Sequence, residues 1–404
     1  MCGIAGILMH KGYPDEQAIS ILARSLEHRG PDGSGQFNHE KTVVLHKRLS
    51  IIDLETGNQP IQNQDGSVII ANGEIYNYQE LRGSLGEKNF QTNSDSEAPL
   101  VTYGLNGTAF TQGLRGMYAI AIVDIQTNNI QLARDPFGIK PLYYTKFKDG
   151  IAFSSEAGSL LDAGLAPRKL HDVKRDEFLQ LQFTTGEDTV FEGIKRVMPG
   201  QTLSLDNHDI TKVYQQNSLP DSGPENWSQK EALQKLDEAL MDSVMVHQRS
   251  DVPYGMFLSG GVDSSVILAC MRDLNEKPVE AFTAGFSGTS VNDERDHAQT
   301  VAAAAGANFN NVEFSESNFW ELLPEIAAVM DDPAADYAIL PTYKLGKTCH
   351  DAGLKVVLSG AGGETLSNRQ IRNEKMQKLF FCADRYLKGK SVSKVSRLET
   401  IKGE

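Results

Sequence analysis

Residues 254–269 read YGMFLSGGVDSSVILA, and this stretch decides the architecture of the second half of the chain. The apolar run Tyr254 to Leu258 stops at Ser259, Gly260 and Gly261 and is followed at once by a helix beginning V-I-L-A, so strand passes to helix through a glycine turn. Further apolar runs follow at Val279 to Phe286, Asn311 to Phe314 and Leu354 to Leu358. Helical patterns from Ser264 and over Asp296 to Ala305 separate them. Strand and helix repeated in this way predict a parallel sheet covered on both faces. Upstream, Ser228 and Glu231 form an S-x-x-E capping box. Ala232, Leu233, Leu236, Leu240 and Val244 continue it as the apolar stripe of a long amphipathic helix.

The first two hundred residues have a different texture. Strands are expected at Ile4 to Leu8, Val43 to Asp53 and Val68 to Tyr76, with one helix between Asp15 and His28 burying Ile19, Leu22, Ala23 and Leu26 at helical spacing. Two hairpins follow. Tyr118 to Asp124 and Ile130 to Arg134 flank Asn128-Asn129, and Leu142 to Phe147 and Ile151 to Ser154 flank Lys148-Asp149-Gly150. An antiparallel, strand-rich unit packed by a few helices accounts for this pattern. Between the halves, QQNSLPDSGPENWS at 215–228 carries Pro220, Gly223 and Pro224, which neither helix nor strand tolerates internally. The expected division is a first domain at 2–214, a linker at 215–228, a second domain at 229–364 and a tail at 365–404.

The chain of 404 residues holds 53 Asp+Glu against 39 Lys+Arg, a formal charge of −14, and is 40% hydrophobic. That length suits two or three domains with their own cores. The acidic balance argues against a nucleic-acid or anionic-membrane surface, since both need clustered Lys and Arg. No apolar stretch is long enough to span a bilayer and the N-terminus lacks a signal-peptide pattern, so a cytoplasmic protein is expected. Cys2, Cys270, Cys349 and Cys382 show neither C-x-x-C pairing nor zinc spacing, which leaves disulfides and structural zinc unsupported. Cys349 beside His350 reads as packing.

Two constellations carry chemistry. The first is Met1-Cys2-Gly3-Ile4: loss of Met1 would leave Cys2 with both a thiol and a free α-amine, so that nucleophile and base share one residue. The segments HRGPDG (28–33), RLSIID (48–53), NGEIYN (72–77), SDSE (94–97) and RDPFGIKPLYY (134–144) accompany it. Taken singly, Gly30, Pro31 and Gly33 make a turn, Asn72-Gly73 a hairpin turn and Arg48 a surface charge. Taken in order, they resemble the class II glutamine amidotransferases over residues 2–205. The resemblance implies an αββα sandwich of the N-terminal-nucleophile type. It also implies catalysis by Cys2, with an oxyanion hole from the Asn72 amide and the Gly73 N–H. Its glutamine pocket would consist of Arg48, Leu49, Ser50, Ile51, Ile52, Asn72, Gly73, Glu74 and Asp95. Arg48 would meet the carboxylate of glutamine and Asp95 its ammonium.

The second constellation is Leu258 to Ser265, whose glycines let backbone N–H groups turn toward one oxygen cluster at a helix N-terminus. It is a phosphate cradle but not a Walker A loop. A capped strand-to-helix turn at Ser264 is the plainer reading. The loop resembles the pyrophosphate loop of the ATP pyrophosphatases, which implies ATP bound by Leu258, Ser259, Gly260, Gly261, Asp263, Ser264, Ser265, Ala284, Ser359 and Gly360. Mg²⁺ would be held at Asp263. The fold implied is an adenine-nucleotide hydrolase-like α/β domain. A Cys-first glutaminase fused to this loop resembles the glutamine-hydrolysing asparagine synthases, with glutamine, ATP and aspartate as substrates and a homodimer through the glutaminase half. An amidotransferase for another carboxylate, a glutaminase alone and a non-catalytic regulator stay open as alternatives.

The resemblance breaks after Gly360. Ala361, Glu364 and Thr365 stand where the family has an acidic residue and an Asp-Glu pair, and residues 365–404 hold 10 Lys+Arg against 4 Asp+Glu. A truncated, frame-shifted or diverged chain with an impaired synthetase half is therefore expected; a basic tail that binds a partner is the alternative.

Overall fold

The structure is a computed structural model, and it describes residues 1–206, 209–219, 225–286, 293–336 and 338–360. Ala361, Glu364, Thr365, the tail 365–404 and Cys382 lie outside the described residues. In chain order the first half holds β1 (Gly3–Met9), α1 (Glu16–Ser25), β2 (Gly33–His39), β3 (Thr42–Arg48), β4 (Ile61–Gln62), β5 (Val68–Ile75), α2 (Tyr78–Leu85) and α3 (Ala98–Asn106). It continues with β6 (Gly116–Asp124), β7 (Asn129–Arg134), β8 (Tyr143–Phe147), β9 (Gly150–Ser154), α4 (Ala157–Asp162), α5 (Asp172–Leu181), β10 (Ile194–Arg196), β11 (Gln201–Leu205) and β12 (Ile210–Gln215).

These strands form two antiparallel sheets, ordered β10-β8-β9-β1-β3-β2 and β12-β11-β7-β6-β5-β4. Side chains alternate across a strand, so one strand feeds two cores. In β1, Ile4 and Leu8 point between the sheets, where they meet Val68, Ile70, Ala121 and Phe153. Ala5 and Ile7 point outward to Leu22 and Leu26 from the α1 region and to Leu160 and Leu161 of α4. On the far side, Ile69 and Ile120 pack under Leu100 of α3 and Phe110. Helices, sheet, sheet and helices are thus stacked as an αββα sandwich. The N-terminus of α1 is fixed by Asp15, whose carboxylate accepts the Ala18 N–H at 3.0 Å.

The second half holds α6 (Gln229–His247), β13 (Tyr254–Phe257), α7 (Val262–Leu274), β14 (Glu280–Gly285), α8 (Arg295–Ala305), β15 (Asn308–Glu313), α9 (Glu316–Val329), α10 (Ile339–Asp351) and β16 (Val356–Leu358). Its four strands pair in parallel in the order β15-β14-β13-β16. Val244, Leu268, Ala298 and Ala302 cover one face through α6, α7 and α8, and Cys349 of α10 packs with Phe282 and Val312 on the other. Cys349 is packing, as its context suggests. Among the described residues no helix is long and apolar enough to cross a membrane.

Two expectations are corrected. The third strand ends at Arg48 rather than Asp53, because the carbonyls of Ile52 and Asp53 turn inward to accept from the Arg48 guanidinium and are lost to any ladder. The α6 capping box forms, with Ser228 and Glu231 bonded reciprocally, yet the apolar stripe is buried only in its last turns. Val244 packs against the α7 core, whereas Leu233 and Leu236 are 59% and 56% exposed.

The halves are joined by direct bonds. Asp331 and Asp332, after α9, reach the first half: Asp331 accepts the N–H groups of Ala157 and Gly158 at the start of α4, and Asp332 pairs with Arg196 and the Tyr143 hydroxyl. Asp242 pairs with Arg115. Because Phe153 is wholly buried between the sheets, Phe153→Ala should destabilise the first half by about 3–5 kcal/mol, read as a lowered urea midpoint of its unfolding transition.

Candidate functional site

Cys2 stands immediately before β1, a central strand of the first sheet, and a net of bonds holds it. Arg29 Nε–H donates to the Cys2 carbonyl at 3.0 Å, and Arg29 is itself anchored by Glu156, which also meets His28. Gly30 makes that approach feasible: a Cβ there would lie 2.2 Å from the Lys47 carbonyl carbon. Leu49 N–H donates to the Cys2 sulfur at 3.3 Å. Burial pushes the thiol pKa up, and the Leu49 bond offsets part of that. Burial also lowers the Met1 α-amine to about 6.

Cys2 shares one pocket with Arg48, Leu49, Ile51, Ile52, Asn72, Gly73, Glu74 and Asp95. All the residues expected around glutamine therefore meet there except Ser50, which lies outside it and donates its N–H to Asp32 at 2.8 Å. Arg48 is 6% exposed and is no surface charge. One of its η nitrogens donates to Asn58 Oδ1 at 2.7 Å, and the other to the carbonyls of Ile52 and Asp53.

Asn72 and Gly73 do not form a turn; they lie within β5, opposite Ala119 and Tyr118 of β6. Beyond the two-residue strand β4 this edge of β5 is open. Alternate N–H groups point out along it: that of Ala71 donates to Gln59 Oε1 and that of Ile75 to Asp95 Oδ2. Gly73 N–H lies between them on the same edge. A Cβ on Gly73 would sit 2.1 Å from the Met117 carbonyl oxygen, so only glycine lets β5 and β6 close here. Asn72 is 1% exposed, and its Nδ2 has no acceptor among the described residues. A buried amide donor without a partner is costly, and a ligand oxygen would relieve it.

Further charged groups, Glu74, Asp95 and Lys140, line the same pocket as Arg48. Burial raises Asp95 to about 6 against the pull of its backbone hydrogen bonds. Burial and then the neighbouring Asp95 push Glu74 to about 7, with Lys140 opposing. Burial lowers the Lys140 ammonium, and Glu74 resists that shift. Lys140, Gln59, Ser94 and Ser96 also line the pocket and were not singled out from the sequence. The signal for Lys140 was present, since it lies within RDPFGIKPLYY.

The second site is the loop between β13 and α7. Gly260 adopts φ +78°, a conformation that favours glycine. Ser264 Oγ accepts the Ser259 N–H at 3.3 Å and donates to the Gly261 carbonyl, as does Ser265 Oγ at 2.8 Å. Helix α7 follows the N-cap residue Gly261, which has no side chain to cap it, so its first-turn amides suit an anion. Leu258, Ala284 and Ser359-Gly360 stand at the C-terminal ends of three adjacent parallel strands, where open α/β sheets bind ligands. A Cβ on Gly360 would come within 3.0 Å of Ser264 N. Among the described residues no group of three or more His, Cys, Asp or Glu side chains could hold a metal by itself. Asp263 is half-buried in the first turn of α7. A single carboxylate suits Mg²⁺, which takes most of its ligands from phosphate and water.

A glutamine amidotransferase domain model matches residues 1–216, and an asparagine synthase model matches residues 235–369. The chain is 36% identical to asparagine synthetase [glutamine-hydrolyzing] 1 of Bacillus subtilis, over 91% of its own length and 58% of that protein's. It is 32% identical to putative asparagine synthetase [glutamine-hydrolyzing] 2 of Methanocaldococcus jannaschii, over 90% and 74% respectively. It is also 31% identical to amidase chyE of Penicillium rubens, over 90% and 58%. The chain thus spans about three fifths of the length of the first of these relatives.

The Glu74 shift has a measurable consequence. From 4.5 up to about 7 the folded chain keeps a proton that the unfolded chain releases, so stability from this group is complete below 4.5 and lost above about 7. Relative to Glu74→Gln, the natural chain should lose up to about 3 kcal/mol as pH rises through that window, read by urea titrations at stepped pH.

Proposed function

Because the chain belongs to the glutamine-hydrolysing asparagine synthetase family, with a glutamine amidotransferase domain as its first half, we propose that it moves the amide nitrogen of glutamine to aspartate while ATP is cleaved to AMP and pyrophosphate. The observation that carries this reading is the buried Asn72 amide, left without an acceptor in the pocket that holds Cys2, Arg48 and Asp95.

Glutamine enters with its α-carboxylate at the free N–H groups of Arg48 and its ammonium at Asp95, with Glu74 beside it; Leu49, Ile51 and Ile52 line the aliphatic part. Once Met1 is removed, the Cys2 amine takes the thiol proton, directly or through water. That base is needed, because burial holds the thiol above its ordinary pKa. The sulfur attacks the side-chain amide carbon, and the developing oxyanion is met by Asn72 Nδ2–H and Gly73 N–H. The C–N bond breaks and the proton goes to the leaving nitrogen. Ammonia departs, and water then cleaves the γ-glutamyl thioester to glutamate.

In the second half, Ser259, Gly260, Gly261, Ser264 and Ser265 cradle the pyrophosphate of ATP, and Leu258, Ala284, Ser359 and Gly360 wall the nucleotide. Asp263 would hold Mg²⁺, which when bound neutralises phosphate charge. The aspartate carboxylate attacks the α-phosphorus and pyrophosphate leaves. Ammonia then displaces AMP from the acyl group. Glutamine, ATP and aspartate as substrates, a cytoplasmic setting and a homodimer through the first half complete the reading. The fungal relative named an amidase favours a second reading, in which the acceptor is another carboxylate.

Cys2→Ala should abolish release of glutamate from glutamine, and unaltered hydrolysis would remove the nucleophile assignment. Asn72→Ala should lower kcat about 10²–10³-fold. Asp263→Ala should weaken Mg-ATP binding in equilibrium dialysis, and equal affinity would sink that assignment. Pyrophosphate release that depends on aspartate separates the two acceptor readings.

A further inference from the structure

Between α6 and β13 the segment Arg249-Ser250-Asp251 crosses to the first half and bonds the backbone of Ile51, which lines the pocket, and of Asp53 and Tyr76, next in sequence to lining residues or within two of them. Asp251 Oδ2 accepts the Asp53 N–H at 2.7 Å, and the Asp251 N–H donates to the Ile51 carbonyl at 2.9 Å. Between these two points lies the Ile52 carbonyl, and the Asp53 carbonyl follows directly after the second; both accept from Arg48. Asp53 sits at φ +53°, a left-handed conformation that an aspartate keeps only when its surroundings hold it. Its carboxylate is already used by Thr56 and Asn93, so that side chain is fixed from within the first half while its backbone is fixed from the second. Across the pocket, Arg249 donates to the Tyr76 carbonyl, next to the Ile75 N–H that Asp95 accepts. Lys355 adds a third link by pairing with Asp32, the acceptor of the Ser50 N–H.

We propose that Asp251, carried by the ATP-site half, is a positioning residue for glutamine. By clasping Ile51 and Asp53 it fixes the two carbonyls that aim the Arg48 guanidinium at the α-carboxylate. An interface contact made only to join the halves would have no need to bond the backbone on both sides of the Ile52 carbonyl. The inference rests on the glutamine reading of the pocket. Cys2, Asn72 and Gly73 lie on or beside β1 and β5, which Asp251 does not touch, so the bond-breaking step should be spared.

The test is steady-state glutaminase kinetics on the full chain. Asp251→Ala should raise KM for glutamine about tenfold, as loss of a charge-assisted hydrogen bond would, with kcat within about threefold. Asp251→Asn keeps an acceptor oxygen and should return KM to within about threefold. The preference for glutamine over its α-carboxamide should fall about tenfold in the alanine variant, because only the carboxylate form uses Arg48. A purely structural role would leave that preference intact. Should the alanine variant not fold, Asp251→Glu keeps the charge but displaces the oxygen by one methylene, and its KM should rise about threefold or more. An unchanged KM in the alanine or glutamate variant, or an asparagine variant as impaired as alanine, overturns the proposal. A natural chain that hydrolyses no glutamine would instead overturn the glutamine reading itself.

Discussion

A guanidinium buried to the extent of Arg48 has to be hydrogen-bonded where it lies, and that requirement shapes much of what surrounds it. It helps to stop β3, since the carbonyls of Ile52 and Asp53 turn back to the charge rather than on to a neighbouring strand. It bends the following residues into a loop tight enough to place Asp53 in left-handed backbone, and draws in Asn58 as a further acceptor. The loop is then too irregular to stabilise itself through a ladder. Bonds from outside hold it, from Asn93 and Thr56 on one side and from Asp251 on the other.

The pocket is correspondingly strained in its charges. Two carboxyl groups, Glu74 and Asp95, are buried here; burial raises the proton affinity of both, and Asp95 raises that of Glu74 further, while burial presses the lysine in the same pocket toward its neutral form. In the same pocket the Arg48 guanidinium bonds only neutral oxygens. On the proposed reading, a zwitterion with its ammonium at the carboxyl groups and its carboxylate at Arg48 would relieve both halves of this arrangement at once. On the same reading, an amide oxygen at Asn72 would give that buried donor its acceptor, and binding would complete a polar set that the protein leaves incomplete.

How much of this was legible depended on the range of the interactions. The strand-glycine-helix unit at 254–269 is local, and the parallel sheet followed from repeating it. The capping box at Ser228 and Glu231 is local too. Asn72-Gly73 misleads when read alone, because a pair that suits a hairpin turn serves here to bring two strands together and leave an edge open. The end of β3 was hidden because a side chain displaces the ladder. Leu233 and Leu236 have helical spacing, but spacing does not say whether a partner surface reaches them. Lys140 lies within RDPFGIKPLYY with nothing local to mark it as pocket-lining, and Asp251 has no local signal, since its partners are nearly two hundred residues away.

The contact of Asp331 and Asp332 with the first half bears on how the chain can be divided. Three backbone N–H groups in the first half, those of Asp53, Ala157 and Gly158, have acceptors in the second, and Arg196 has its carboxylate partner there. A fragment ending near residue 216 would carry those donors into water or leave them bare, and it would also lose the clasp on the Arg48 loop. These bonds tie the two halves together, so the change of architecture between β12 and α6 is not by itself a point at which the chain can be cut without cost.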